Sequence, residues 1–193
     1  MKLSDDEYEY IKQEVIDLFE RYCVRCIPIS GFELAMSMGI VLIPYSSLSE
    51  NKLNAVSAFS PDGFFWEPGD GKEYIYYNDS IGYKRSNMTV LHEIGHDVLG
   101  HHVGMDPEFR EAEASFFTKY AAAPPPLIHR LAPKEPEEIE KHFGISHEAA
   151  IIAFGYYHKW LYQYMRSGRF QAYEIRLLNL FTDSQGGEYY DIV

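Results

Sequence analysis

The segment TVLHEIGHDVLGHH, residues 89–102, carries four histidines and one glutamate in a chain that is acidic overall. Residues four positions apart project from the same face of an α-helix, so His92 and His96 can bind one metal ion. Glu93 lies about 100° around the helix from His92, close enough to take a proton from a water at that ion. This HExxH spacing is typical of metal-dependent peptidases. The segment therefore predicts a helix that carries a metal centre and its general base.

The same helix could also pack well without a metal, because Val90, Leu91 and Ile94 give it an apolar face. Two features favour the metal centre. Two histidines and a glutamate on a largely apolar helix would lose hydration without gaining partners. Gly95 costs about 1 kcal/mol relative to alanine in a helix interior, which indicates that another backbone passes close by.

Glu111, on the next predicted helix, is the favoured third ligand. Asp106 and Pro107 have the residue types that cap and open a helix. Glu111 lies about one turn into that helix, and His96 lies about one turn before the end of the preceding one. If the two helices run side by side in opposite directions across a short loop, Glu111 comes level with His96.

His102 is the alternative third ligand. It follows His92 by ten positions, the offset of the HExxHxxGxxH pattern, although Leu99 stands where that pattern has glycine. Glu108 is the nearest competing carboxylate. Glu113 is about 200° further around its helix than Glu111 and is expected to face away.

The composition limits the classes of function. At 193 residues and 46% hydrophobic side chains, the chain can form one domain of ordinary size with a real core. The net charge of −12 opposes roles that depend on neutralising phosphates, so direct nucleic-acid binding is not expected. No stretch approaches the roughly 20 apolar residues that span a bilayer, and no signal-peptide pattern opens the sequence. We expect a soluble, cytoplasmic protein with no membrane partner.

Two other patterns give weaker functional signals. Cys23 and Cys26 form a CxxC pair, but no further cysteine completes a four-sulfur zinc site, so we expect two reduced, buried thiols. Residues 136–160 have the helix–turn–helix shape of a DNA-binding motif. The first lysine of their second helix is Lys159, too far along to contact phosphates near the helix start. We expect this segment to pack rather than to read DNA.

The predicted elements run in the order helices, small sheet, helices. Periodicity predicts a first helix over residues 5–22 and a second that Ser30 caps and Gly39 ends. Short strands are predicted at IVLIPY, GFFW and EYIYYN, the last two joined as a hairpin. This order predicts a helix-rich α+β fold with a small, at least partly antiparallel sheet and a C-terminal helical appendage after residue 126.

Helices are also predicted along the rest of the chain. They run from Ser86 through Gly100, from Pro107 to the run AAAPPP, before the turn at Gly144, after a Ser146 cap, and over roughly residues 170–181. The tail, 182–193, is expected to be loose.

The region from YIYYNDSIGYKRSNMTVLHEIGH to EAEASFFTKYAAAPPPLI resembles the ImmA/IrrE family of zinc metallopeptidases. That family shows a strand ending in Asn, an Arg-x-x-Phe-Thr lead into HExxH, and a downstream E-x-x-A-(N/D)-x-F-A. The matching positions are Asn78, Arg85, Thr89, His92, Glu93, His96, Glu111, Ala114 and Phe117. The resemblance spans roughly residues 73–128 and is much more specific than HExxH alone.

The resemblance implies that His92, His96 and Glu111 bind Zn²⁺. It also implies that Glu93 acts as general acid and base. The chain departs from the family at Ser115, where Asn or Asp is more common and would hydrogen-bond a ligand histidine. Serine can accept such a bond but reaches less far.

For the whole chain, the resemblance implies a minimal zincin-like catalytic domain over residues 1–126 with a C-terminal helical subdomain, 127–193, packed on it. It implies a regulatory zinc endopeptidase whose protein substrate is a transcriptional repressor, such as a helix-turn-helix repressor. The alternative is a non-catalytic regulatory module that uses the same scaffold, with or without zinc, to bind a partner protein.

Overall fold

The computed structural model describes residues 2–69 and 71–182. Within these residues the chain is helix-rich and contains a small three-stranded sheet, which confirms the predicted α+β class. The predicted loose tail, 182–193, lies outside the described residues except for Thr182.

The first two helices lie where they were predicted, and the second has its predicted cap and stop. Helix α1 (Asp5–Arg21) begins after Ser4, whose side chain accepts a backbone N–H of the first turn. Helix α2 (Gly31–Met38) begins after Ser30 and ends at Gly39, where φ is 86°. A glycine is required there because this left-handed conformation is unfavourable for a residue with a Cβ.

The sheet contains the three predicted strands in the order β1–β3–β2. Strand β2 (Gly63–Trp66) pairs antiparallel with β3 (Tyr74–Tyr77), which confirms the hairpin. Strand β1 (Val41–Pro44) pairs parallel with β3. The sheet is therefore mixed, and β2 is an edge strand. Ile75, at the centre of β3, is fully buried and joins the sheet to the core.

Two α-helices among the described residues were not predicted, in addition to short 3-10 turns at Tyr45–Ser47 and Asp79–Ile81. Helix α3 (Glu50–Phe59) connects β1 to β2 and contains no buried residue. Its apolar side chains, Leu53 and Val56 among them, do not join the buried core, so it is not one of the core-facing helices that periodicity predicts best.

The other unpredicted helix is α6 (Pro125–Leu131). The run AAAPPP ends the preceding helix at Ala122, as predicted, but two of its prolines also open α6, because the first turn of a helix tolerates residues without an N–H.

Helices α4 (Tyr83–Val98) and α5 (Pro107–Ala122) form the predicted hairpin, and Asp106 caps α5 as expected. Gly95 makes their close approach feasible, because a Cβ there would lie 2.8 Å from Cδ1 of Phe117. The neighbour that requires a glycine is thus a side chain, and the prediction of a backbone was wrong.

The remaining helices are α7 (Pro136–Phe143), α8 (His147–Ser167) and α9 (Ala172–Leu180). The buried hydrophobic cluster is continuous from α1 to α9, and the rings of Phe19 and Phe181 lie 6.2 Å apart. The division of the chain after residue 126 stays a prediction, as does the expectation that α7 and α8 do not read DNA.

The two cysteines are exposed, so the prediction of buried thiols is wrong. They follow the end of α1, where Cys23 adopts a φ of 55°. Among the described residues, no helix is both long enough and apolar enough to cross a bilayer.

Candidate metal centre

Three side chains from α4 and α5 meet at one point. His92 Nε2 lies 3.3 Å from Glu111 Oε2, and His96 Nε2 lies 3.3 Å from Glu111 Oε1. The two histidine Nε2 atoms are 3.1 Å apart. The donor atoms of all three residues lie within 4.8 Å of one another, close enough to hold one metal ion.

The spacing of these donor atoms fits a tetrahedral zinc ion. Zinc binds imidazole nitrogen and carboxylate oxygen at about 2.0–2.2 Å, so neighbouring donors of a tetrahedron lie about 3.3–3.6 Å apart. The observed separations of 3.1 and 3.3 Å are within about 0.2 Å of that range. Two imidazoles and one carboxylate are also a donor set of catalytic zinc sites. The residues therefore fit zinc in spacing and in chemistry.

The α4–α5 hairpin produces this convergence. Val90, Leu91 and Ile94 are fully buried and orient one face of α4 toward the core. The neighbouring face then turns His92 and His96 toward α5, with their side chains 24% and 17% exposed. The spacing of four residues along α4 places His92 and His96 on one face. The antiparallel helix α5 then brings the carboxylate of Glu111 to the two rings.

Glu93 lies beside the three predicted ligands and is held by the edge strand β2. Its Oε2 accepts a hydrogen bond of 2.9 Å from the backbone N–H of Phe65. Burial raises the pKa of Glu93 to about 7; the Phe65 hydrogen bond lowers it, and the nearby Glu111 charge raises it slightly. A carboxylate with a pKa near neutrality is matched to accepting and returning a proton.

The two histidines are disposed to be neutral. Burial is the largest cause that lowers the pKa of His96, to about 4, and the neighbouring His92 adds to it. Burial also lowers the pKa of His92, against an opposing effect of Glu111. Neutral imidazole is the form that offers a lone pair to a metal, so both rings are ready to bind one at neutral pH.

A cleft of about 760 Å³ opens onto the three donor atoms and Glu93. One wall is β2 and the turn before it. Asn78 Nδ2, at the end of β3, donates to Pro61 O, and Arg85 on α4 pairs with Asp62 at 2.8 Å. The two residues hold this turn against β3 and α4. Two positions of the family resemblance thus support the wall of the cleft.

The other predicted site residues lie apart from the donor atoms. Ser115 lines the cleft, but among the described residues no hydrogen bond joins it to either predicted ligand histidine. His102 is exposed, and its Nδ1 accepts the N–H of Gly104. Glu108 is exposed in the first turn of α5. The structure therefore does not bring His102 or Glu108 to the point where the other three meet.

Sequence reasoning missed a pair behind His96. His101 Nδ1 lies 2.8 Å from His96 Nδ1, and His101 Nε2 lies 3.0 Å from Glu113 Oε2. Glu113 does point away from the three donor atoms, as predicted, but it ends on His101 rather than in solvent. The side chains of His101 and Glu113 are only 1% and 8% exposed.

A sequence signal for His101 existed at the end of α4. Gly100 has a φ of 66°, its N–H bonds to Asp97 O, and the N–H of His101 bonds to His96 O. These two hydrogen bonds form a Schellman motif, which folds the chain back over the last helical turn. His101, directly after this glycine, is therefore placed next to the side chain of His96, five positions earlier.

Comparison of the chain with protein-family models, with curated proteins and with solved structures found no significant match. The likeness to the ImmA/IrrE family therefore rests on the motif residues alone.

Proposed function

We propose that this protein is a zinc-dependent endopeptidase of the zincin-like, ImmA/IrrE type. The observation that carries the proposal is the meeting of His92, His96 and Glu111 beside Glu93 at an open cleft. HExxH alone can occur by chance, but its agreement with a third donor at tetrahedral spacing is much more specific.

In this proposal, His92, His96 and Glu111 hold the ion. Zinc, when bound, supplies a Lewis acid that acidifies water and polarises the carbonyl of the scissile bond. Calcium and magnesium are not expected in its place, because both favour sites made of oxygen ligands.

Glu93 is the residue that moves the proton. Its carboxylate accepts a proton from the attacking water and returns it to the leaving amine. The hydrogen bond from Phe65 N–H holds Oε2 on the β2 side of the cleft. We expect Oε1, the other oxygen, to be the atom that handles the proton.

The substrate is proposed to be an extended segment of a regulatory protein. The apolar side chains of Phe59, Phe64 and Met88 line the cleft beside the polar site. A peptide bond reaches such a site only if the backbone is extended, so cuts should fall in linkers or exposed loops. The net charge of −12 attracts basic partners at low salt, which suits a DNA-binding repressor. That attraction fades as the Debye length falls to ~8 Å near physiological ionic strength.

The decisive experiment is the comparison of wild type with Glu93→Gln, both loaded with zinc. The substitution removes the proton acceptor but none of the three predicted ligands, so zinc content should stay near one per chain. Hydrolysis should fall by about 10²–10⁴-fold. If a partner-dependent function survives the change unaltered, the peptidase proposal is wrong and the protein is a binding module on the same scaffold.

The substrate class is tested by incubating the zinc-loaded protein with casein and with a helix-turn-helix repressor encoded nearby. We expect one or two cuts in a linker of the repressor and almost none in casein, mapped by mass spectrometry. Rapid cleavage of casein at many sites would contradict a regulatory role but leave the hydrolase proposal standing.

A further inference from the structure

A chain of two hydrogen bonds runs from His96 into the protein interior. It begins at the ring nitrogen that faces away from the three donor atoms, Nδ1, which contacts His101 Nδ1 at 2.8 Å. It ends at Glu113 Oε2, 3.0 Å from His101 Nε2. His101 lies between a proposed ligand and a buried carboxylate.

The hydrogen atoms of these two hydrogen bonds have one consistent arrangement when His96 binds a metal. Nε2 must then be bare, so the hydrogen of the neutral ring sits on Nδ1 and is donated to His101 Nδ1. His101 Nδ1 therefore accepts, and its own hydrogen sits on Nε2. That hydrogen is donated to Glu113 Oε2, the carboxylate oxygen 3.0 Å away. Each donor meets one acceptor along the whole chain.

We propose that His101 and Glu113 are positioning residues that lock the ring of His96 in its metal-binding tautomer and orientation. The inference rests on the proposed metal centre and adds the residues that support it. Partners of this kind fix a ligand ring and strengthen it as a donor to the metal. This pair takes the supporting role that the family resemblance assigns to Ser115.

Burial argues that the pair serves more than packing. A carboxylate that is 8% exposed carries a substantial desolvation cost, and His101 supplies a hydrogen bond that offsets part of it. An apolar pair would fill the same space without that cost. The Schellman motif at Gly100 explains how a residue outside α4 reaches the back of the His96 ring.

The test measures zinc affinity by competition with a chelator, so it does not depend on peptidase activity. His101→Phe keeps a ring but removes the acceptor, and should weaken zinc binding by about 10–100-fold. Glu113→Gln keeps an oxygen that can accept from His101 and loses only the charge, so its loss should stay below about tenfold. His102→Phe is the matched control, because it changes the adjacent, exposed histidine, and should leave affinity unchanged.

A second measurement separates positioning from simple structural damage. Cobalt(II) replaces zinc, and its visible absorption reports ligand geometry. The spectrum should shift in Glu113→Gln while the melting temperature of the metal-free protein stays that of wild type. This near-isosteric variant also keeps the test valid if His101→Phe does not fold.

The inference is overturned if wild type binds zinc tightly and either His101→Phe binds within about threefold of it or Ser115→Ala loses more. That result leaves the proposed peptidase untouched. Conversely, the predicted affinity losses without any hydrolysis by wild type would support the positioning pair and reject the peptidase.

Discussion

The C-terminal layer, which is helices α8 and α9 with the turn between them, and the α4–α5 hairpin arrange their polar side chains in opposite ways. In the C-terminal layer, Glu174 is 4% exposed, and its two oxygens accept from Trp160 Nε1 at 2.5 Å and from the Gln171 backbone N–H at 2.8 Å. In the hairpin, His92, His96 and Glu111 turn their electron-pair donors toward one another at 3.1–3.3 Å. The first arrangement is complete in itself. We propose that a cation completes the second.

The surroundings also differ: those of Glu174 are enclosed, and those of the hairpin site are open to solvent. Around Glu174 the packing is aromatic: the rings of Trp160 and Tyr164 stack at 5.3 Å with an angle of 5° between them. Around the hairpin site, a cleft gives access to solvent. A polar group that is fully partnered and enclosed serves the fold, whereas converging donors at an open cleft indicate a ligand.

The largest effect should come from Glu111→Ala. Loss of a direct ligand should weaken zinc binding by more than about 100-fold, beyond the range for supporting residues. Titration calorimetry and metal analysis measure the loss. His102→Ala should retain zinc. If instead His102→Ala lost zinc and Glu111→Ala kept it, His102 would be the third ligand, and the convergence of donors at Glu111 would no longer indicate a ligand site.

Glu174→Ala should destabilise the fold without changing zinc affinity at the proposed metal centre. It leaves Trp160 Nε1 and the Gln171 N–H without their acceptor in the interior, at a cost of about 2 kcal/mol in the free energy of unfolding. Urea denaturation measures this cost, and Glu148→Ala on the exposed side of α8 is the control. A loss of zinc affinity in Glu174→Ala would show that the two regions are coupled.

Zinc itself should protect the hairpin selectively. At ten times the dissociation constant, a ligand that binds only the folded form contributes about 1.4 kcal/mol. Amides of α4 and α5 that exchange by local opening should slow by about tenfold in hydrogen exchange, and those of α8 should not change. Equal protection in α8 would mean that both regions open as one unit.

The smallest effect should come from Arg176→Met, which removes the ion pairs of α9 with Asp17 and Glu20 on α1. These side chains are about 40% exposed, so the loss should be below about 1 kcal/mol and should shrink as salt is added. Urea denaturation at two salt concentrations tests this. A larger, salt-independent loss would contradict the prediction, because exposed ion pairs are weak and are screened by salt.

Much of the secondary structure could be predicted because it depends on residues that are close together in the sequence. The caps at Ser30 and Asp106 and the stop at Gly39 act within one helical turn, so residue type alone predicted them. The approach of Glu111 to the histidines was predictable for a similar reason. A short loop between two helices leaves little freedom in their relative height.

The contacts that could not be predicted join parts of the chain that no local rule connects. Strand β1 pairs in parallel with β3, although α3, which has no buried residue, and β2 lie between them in the sequence. The hydrogen bond from Phe65 to Glu93 links positions 28 residues apart in the sequence. Such contacts arise only when several elements pack at once, so no single segment encodes them.

The sequence by itself determined that two histidines and a glutamate share one helix, because helical periodicity alone puts them there. Tertiary structure decided what each side chain meets. It set Glu93 against β2, buried Glu113 behind His101, and left Cys23 exposed. Periodicity fixes a side chain's direction from its own helix, but burial and partners depend on what packs against that helix from elsewhere in the chain.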